Sequence, residues 1–307
     1  MTTHSIVFPG QGSQEPGMGR DLAEHWSEAM DLWKKAERVS GLPLREIYWD
    51  GDENAMAVTR NLQPALTVVN MNLWCFLAEK LSPAAVAGHS LGEFAALFAA
   101  RVLPMDSVLE LVCLRGKLMD EAVNQDGRMA AILKLDQAKV EELVAAAAGL
   151  TGQEIRIANY NTPGQFVISG HAQAVDHVCA GVKPLKGRAL VLPVSNAFHS
   201  PYMREAGDEL AKHMDKLDWR DPKIPVYLNV TGKPQADGQA LKETVKRQMT
   251  SSVYWTQTIE NQYADGMRSF MELGPKGALS RMIAQILKDH DEVETLSVST
   301  LEHAASL

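Results

Sequence analysis

Ala84-Ala85-Val86-Ala87-Gly88-His89-Ser90-Leu91-Gly92, running on without a breaker to Ala100, is the stretch whose reading decides the fold. The small residues Ala84 to Gly88 read as a short strand, and Leu91 to Ala100 as a helix. Ser90 falls between them in a G-x-S-x-G pattern, which is specific only when a strand precedes it and a helix follows. Both contexts are present. The flanking small residues make the sharp turn sterically possible, and a helix N-terminus behind the serine favours developing negative charge. The expectation is a serine nucleophile lifted out of a sheet; the alternative is a glycine-lined turn holding an inert serine.

Outward from this turn, Ile6-Val7-Phe8 reads as a strand ending at Pro9-Gly10. Residues 21–39 read as one amphipathic helix, 64–80 as a buried helix and 105–123 as a helix after Pro104. The rhythm then changes. Arg128 to Leu135 reads as a strand and Asp136 as the cap of a helix to Ala148. Ile155–Tyr160 and Gln165–Ser169 are strands joined by Asn161-Thr162-Pro163-Gly164, followed by a helix over 171–182 and a strand over 189–193. That order, β-α-β-β-α-β, is ferredoxin-like. Beyond it, helices over 201–217, 239–250, 256–265 and 277–288 alternate with strands over 224–230, 269–273 and 294–299. The fold class expected is α/β, a mostly parallel sheet covered on both faces. Residues 1–126 and 196–307 form the large catalytic domain, with 127–195 inserted as a small ferredoxin-like domain.

The 307 residues carry a formal net charge of −8, which argues against a general nucleic-acid binder. Hydrophobic residues make up 46% and charged residues 22%, ordinary for a chain with a real core. Cys75, Cys113 and Cys179 are widely spaced with no metal pattern, and read as buried thiols in a reducing compartment. No signal peptide or membrane span is read, so the expected location is cytoplasmic. Gly10-x-Gly12 lacks the third glycine of a dinucleotide fingerprint, since position 15 is Glu15. It reads instead as a loop that brings bare backbone close to an acyl group.

A serine nucleophile needs a base. His89, next to Ser90 on a turn, points elsewhere and reads as structural. His199 stands where the insert ends and the large domain resumes, a natural cleft; taken alone it reads as an ordinary interface histidine rather than a catalytic one. Arg115 lies among Leu111, Val112, Leu114, Leu118 and Met119. A cation there is awkward unless it snorkels, pairs internally or meets an anion.

Together these residues resemble the malonyl-CoA:acyl carrier protein transacylases and their polyketide-synthase acyltransferase relatives. The match rests on Phe8-Pro9-Gly10-Gln11-Gly12-Ser13-Gln14, Gly88-His89-Ser90-Leu91-Gly92-Glu93, Arg115-Gly116-x-x-Met119, Asn159-x-Asn161-x-Pro163-x-Gln165-x-Val167-Ile168-Ser169-Gly170, Ala197-Phe198-His199-Ser200 and Glu272-x-Gly274-Pro275. The resemblance implies a hydrolase-like α/β core with a ferredoxin-like insert, no bound cofactor or metal, and malonyl-CoA and acyl carrier protein as substrates. It implies that Ser90 forms a malonyl ester with His199 as base. The main-chain carbonyl of Gln248 would orient His199, and the N–H groups of Gln11 and Leu91 would form an oxyanion hole. Arg115 would hold the malonyl carboxylate, with Met119 and Phe198 lining the acyl pocket. An aromatic at 198 would crowd an α-methyl branch, though one methyl discriminates by only about 1–3 kcal/mol. Lys183, Lys186, Arg188 and Lys276 are candidate docking cations for an acidic carrier, each otherwise a solvated surface residue. Three alternatives remain: a polyketide pathway, a hydrolase clearing acyl groups from carrier proteins, and a silent docking module. The hydrolase would not need Arg115.

Overall fold

Two wholly buried four-residue strands, β1 (Ser5–Phe8) and β2 (Ala85–Gly88), lie side by side in parallel, with Phe8 opposite Gly88. Strands covered on both faces need no polar alternation, which is why both read as unbroken apolar runs. In the computed structural model, which describes residues 4–122, 126–194 and 196–307, they form the middle of one sheet. The other strands are β3 (Gly127–Leu133), β4 (Ile155–Thr162), β5 (Gln165–His171), β6 (Arg188–Val191), β7 (Val226–Tyr227), β8 (Pro234–Gln235), β9 (Ser269–Leu273) and β10 (Glu294–Val298). The large sheet has the order β10-β9-β1-β2-β7-β8 and is parallel apart from the β7–β8 pair. The second sheet, β4-β5-β3-β6, is antiparallel throughout and is the predicted ferredoxin-like unit. The predicted domain border at 195 and the predicted helix end at 123 lie outside the described residues.

Several boundaries differ from the sequence reading. The helix expected over 21–39 is two, Arg20–His25 and Ser27–Ser40. Trp26 between them is extended (φ −128°, ψ 116°) and packs edge-on to Phe76 at 5.6 Å, so a ring contact overrides the continuous pattern. The helix placed at 64–80 is Thr59–Leu77 and runs through Pro64, which is buried in its first two turns. The helix placed at 201–217 is a turn at Pro201–Met203 followed by Arg204–Met214. That placed at 239–250 ends at Val245, before a separate turn at Gln248–Thr250. The strand expected over 224–230 shrinks to Val226–Tyr227, because Asn229 leaves the sheet to bind the Ser90 turn. Short helices at Glu53–Ala57 and Leu301–Ala305 and strand β8 carry too little periodicity to be read in advance. The three cysteines are unpaired and half-buried rather than buried. Burial raises all three thiols, Cys75 to about 11 and Cys113 to about 12, so none is a ready nucleophile. Among the described residues no helix is long and apolar enough to cross a membrane.

Two glycines make the central turn possible. A Cβ on Gly88 would fall 2.0 Å from the Gly92 carbonyl carbon, and one on Gly92 would fall 2.0 Å from the Phe8 oxygen. Both obstacles are backbone, which cannot rotate away. Gly92→Ala should therefore destabilise the protein by at least about 2 kcal/mol in denaturant unfolding; a loss near zero would show that the turn has slack.

Candidate active site

Ser90 follows β2 directly and precedes the helix Gly92–Ala99. Its φ is +50°, in the left-handed region that a non-glycine residue enters at a cost of about 1–2 kcal/mol. Three contacts hold it there. The Asn229 side chain accepts the Ser90 N–H at 2.6 Å and donates to the Gly88 carbonyl at 2.6 Å, so one amide spans the turn. Gln248 Nε2 donates to the Ser90 carbonyl at 2.9 Å. Because Asn229 takes the Ser90 N–H, the next amide, that of Leu91, remains for other use. The Gly10–Gly12 loop runs past it: a Cβ on Gly10 would stand 3.5 Å from the Leu91 nitrogen and only 2.3 Å from the His89 oxygen. Among the described residues neither the Gln11 nor the Leu91 N–H has a protein acceptor.

His199 also has a left-handed backbone, φ +56°, in the turn between Asn196 and Pro201. Ser200 Oγ donates to the Ala197 carbonyl at 2.6 Å within that turn. His199 Nε2 lies 2.7 Å from Ser90 Oγ. Its Nδ1 faces two carbonyls, Gln248 at 3.0 Å and Ser251 at 3.1 Å, which fixes Nδ1 as the donor and Nε2 as the lone-pair nitrogen. Burial, then the Arg115 charge, depresses His199 to about 3, so the imidazole is neutral and its charged form costly. The arrangement is a hydroxyl, a neutral imidazole and a carbonyl pair, able to take the serine proton and return it.

Arg115 is 1% exposed. Its NH1 donates to Gln63 Oε1 at 2.9 Å; its NH2 donates to Ser90 Oγ at 3.1 Å and to Gln248 Oε1 at 3.0 Å. Its guanidinium lies 5.6 Å from the centre of the Phe94 ring. The Nε is buried and has no acceptor among the described residues. Burial lowers Arg115 to about 10, with the Glu93 charge opposing. Glu93, also 1% exposed, accepts the Asn229 N–H at 2.9 Å and a bond from Gln248 Nε2. Burial raises its carboxyl to about 7 against the pull of those bonds and of Arg115.

The cleft above Ser90 holds about 290 Å³. Met119 and Phe198 line it together with Met129, Val167 and Met282. Met119 is held by Gln63, whose Nε2 donates to its sulfur at 3.1 Å. His89 bonds Asn161 at 2.8 Å and meets Trp255 edge-on at 5.5 Å, which is the structural part read for it. Lys183, Lys186, Arg188 and Lys276 are exposed, the first three around β6 and the last beyond β9. The sequence reading missed Asn229, Glu93, Gln63 and Ser251 as contributors. Of these only Glu93 stood inside a quoted motif; Asn229 reaches Ser90, Gln63 reaches Arg115 and Ser251 reaches His199 only through the fold.

A left-handed serine on a strand-to-helix turn, a neutral histidine and an unfilled amide pair define an acyl-transfer type of site on an α/β core. Residues 6–303 match the family model described as acyl transferase domain, and the chain belongs to that family. It is 36% identical to the malonyl CoA-acyl carrier protein transacylase of Escherichia coli, covering 100% of this chain and 98% of that one. It is 34% identical to the Staphylococcus aureus protein of the same name, over 98% of this chain and 97% of the other. A solved acyl carrier protein S-malonyltransferase from Vibrio cholerae superposes with a TM-score of 0.93 at 36% identity, over 99% of both chains. A type II PKS acyl-carrier protein in complex with its malonyl-transacylase gives 0.93 at 33%, over 99% of this chain and 98% of that one. The resemblance read from the motifs therefore holds along the chain.

The His199 shift sets a pH expectation. A group whose folded value is depressed contributes stability above its unfolded value of 6.5, lost as pH falls toward about 3. The acid limb of Ser90 acylation by a non-ionisable thioester should accordingly lie well below pH 6.5, and His199→Ala should remove the matching loss of stability. A limb at 6.5 would mean that His199 is solvated in the working enzyme.

Proposed function

We propose that this protein transfers a malonyl group from malonyl-CoA to the phosphopantetheine thiol of acyl carrier protein, through an ester on Ser90. The observation that carries this is Arg115: a buried cation with an unfilled Nε, whose NH2 lies 3.1 Å from the nucleophilic oxygen. One methylene separates the two carbonyl carbons of a malonyl group. An acyl group bonded to Ser90 Oγ would thus place its carboxylate on the guanidinium, where a planar fork can hold it by two bonds.

In the first half-reaction Ser90 Oγ attacks the thioester carbon and His199 Nε2 takes the hydroxyl proton. The oxyanion forms between the N–H groups of Gln11 and Leu91, each worth about 3 kcal/mol by analogy with other such donors. The C–S bond breaks, and His199 returns the proton to the leaving thiol. In the second half the carrier thiol attacks the ester, its proton passes to His199 and then to Ser90 Oγ, and the C–O bond breaks. The carbonyls of Gln248 and Ser251 keep the His199 ring in register through both halves. Met119 and Phe198 would shape the acyl pocket. Lys183, Lys186 and Arg188 offer a cationic rim to an acidic carrier.

Fatty-acid synthesis is the pathway we assign, in the cytoplasm, as the unpaired thiols support. The two separate sheets support the division into 1–126 with 196–307 and an insert over 127–195.

Intact-protein mass measurement after exposure to malonyl-CoA should show a malonyl adduct on the wild type and none on Ser90→Ala; an adduct on the variant would sink the assignment. Arg115→Ala should lower malonyl kcat/KM by about 100-fold, the loss expected for a charge-assisted pair, while acetyl transfer is retained or improved. Equal losses for both acyl groups would remove Arg115 from substrate selection.

A further inference from the structure

We propose that loading a malonyl group onto Ser90 draws one proton from solvent into the buried cluster, onto the Glu93 carboxylate. The inference rests on the malonyl reading above and extends it. Glu93 and Arg115 are both 1% exposed and are joined by one amide: Gln248 Nε2 donates to Glu93, and Gln248 Oε1 accepts from Arg115 NH2 at 3.0 Å. In the free enzyme their charges cancel. A malonyl carboxylate on Arg115 adds a second anion to a single buried cation, leaving a net negative charge where water is excluded. Buried charge without a partner is costly, and protonation is the cheapest relief.

The other groups facing this cluster cannot easily take the proton. Arg115, from the helix Met105–Glu121, is already protonated. Asn229 and Gln248 present neutral amides. His199 and His89 are both held down by burial, and His199 also by Arg115. Glu93 alone sits within reach of neutral pH, at about 7. An acetyl group adds no anion and should draw nothing. The sign follows: the carboxyl is raised, so it is already protonated well below its folded value, and malonyl loading weakens as pH rises through and above it. The fall would be up to about tenfold per pH unit, and acetyl loading would be insensitive.

The test is a stopped-flow burst with a pH indicator, using N-acetylcysteamine thioesters of malonate and acetate. Thioester plus serine hydroxyl gives ester plus neutral thiol, so the transfer itself releases and consumes no proton near neutrality. At about pH 7 the malonyl burst should take up protons, at most one per site and in proportion to the ionised fraction of Glu93, and the acetyl burst none. At about pH 5 both should be silent. Glu93→Gln should load malonyl without uptake. Infrared difference spectra of the wild type should show a protonated carboxyl band appearing on malonyl loading, which keeps the test decisive if the variant does not fold. Wild-type malonyl loading at about pH 7 without uptake, or equal uptake by Glu93→Gln, overturns the proposal. No malonyl on Ser90 at all would instead overturn the functional reading beneath it.

Discussion

Ser90 is held in a backbone conformation it would not choose, and most of the molecule's centre is arranged around that fact. The turn carries φ +50° at Ser90 and lies between strands whose backbones approach to contact. Gly88 and Gly92 leave no room for a methyl group, and Gly10 lets the neighbouring loop cross at the His89 carbonyl. A conformation costing about 1–2 kcal/mol persists only when its surroundings over-determine it. Here the Asn229 amide grips the turn on both sides of His89, and Gln248 grips it from the far end. The strain presents Oγ to the cleft, and the Asn229 bond occupies the Ser90 N–H while the Leu91 N–H has no protein acceptor among the described residues.

The electrostatics follow from the same close packing. His199 has carbonyls rather than a carboxylate behind it, so nothing negative offsets its protonation and Arg115 opposes it. Such a base is weak in the empty site. An anion placed on Arg115 would cancel part of that opposition, so in the proposed reaction a carboxylated acyl group would help to activate the base that transfers it. Selectivity and rate then share one charge. An acetyl group would bring no such anion and would leave the opposition of Arg115 to His199 in place, so the proposed discrimination works through charge as much as through fit.

What could be read in advance was what is local. The strand, glycines and helix around Ser90 lie within seventeen residues, and each part signals its own conformation. The ferredoxin-like order was legible for the same reason: Asp136 caps its helix through the Lys139 N–H, and the hairpin turns at Pro163–Gly164, within the Asn161–Gly164 stretch read as a turn, although Asn161 and Thr162 belong to β4. Asn229 was hidden because its importance depends on β7 ending after two residues, and Val226 to Val230 reads as an uninterrupted strand. Gln63 was hidden inside a helix whose start Pro64 disguised, since proline more commonly marks a first turn than a sixth position. Gln248 was named from the resemblance for its main-chain carbonyl, yet its side chain, which contacts Arg115, Glu93 and Ser90, carries as much of the geometry.

The second sheet is part of the site as well as its neighbour. The segment after Gln248 runs beside β4: Val253 donates to the Ala158 carbonyl at 2.8 Å, and Tyr160 donates to the Val253 carbonyl at 2.9 Å. Ser252 Oγ adds a bond to the Ile157 carbonyl at 2.7 Å, and Arg156 reaches the Thr250 carbonyl at 2.8 Å. Ser251, in the middle of this seam, supplies one of the two carbonyls facing His199 Nδ1. Further along the same strand, Asn161 holds His89, the residue before Ser90. The small sheet therefore sets the height of the cleft wall and the angle of the base through the same hydrogen bonds. Serine and histidine come from parts of the chain 109 residues apart and meet at 2.7 Å. The residues that present carbonyls to His199 Nδ1 sit in or beside a segment bonded along β4, so the wall of the cleft and the surroundings of the imidazole share one set of hydrogen bonds.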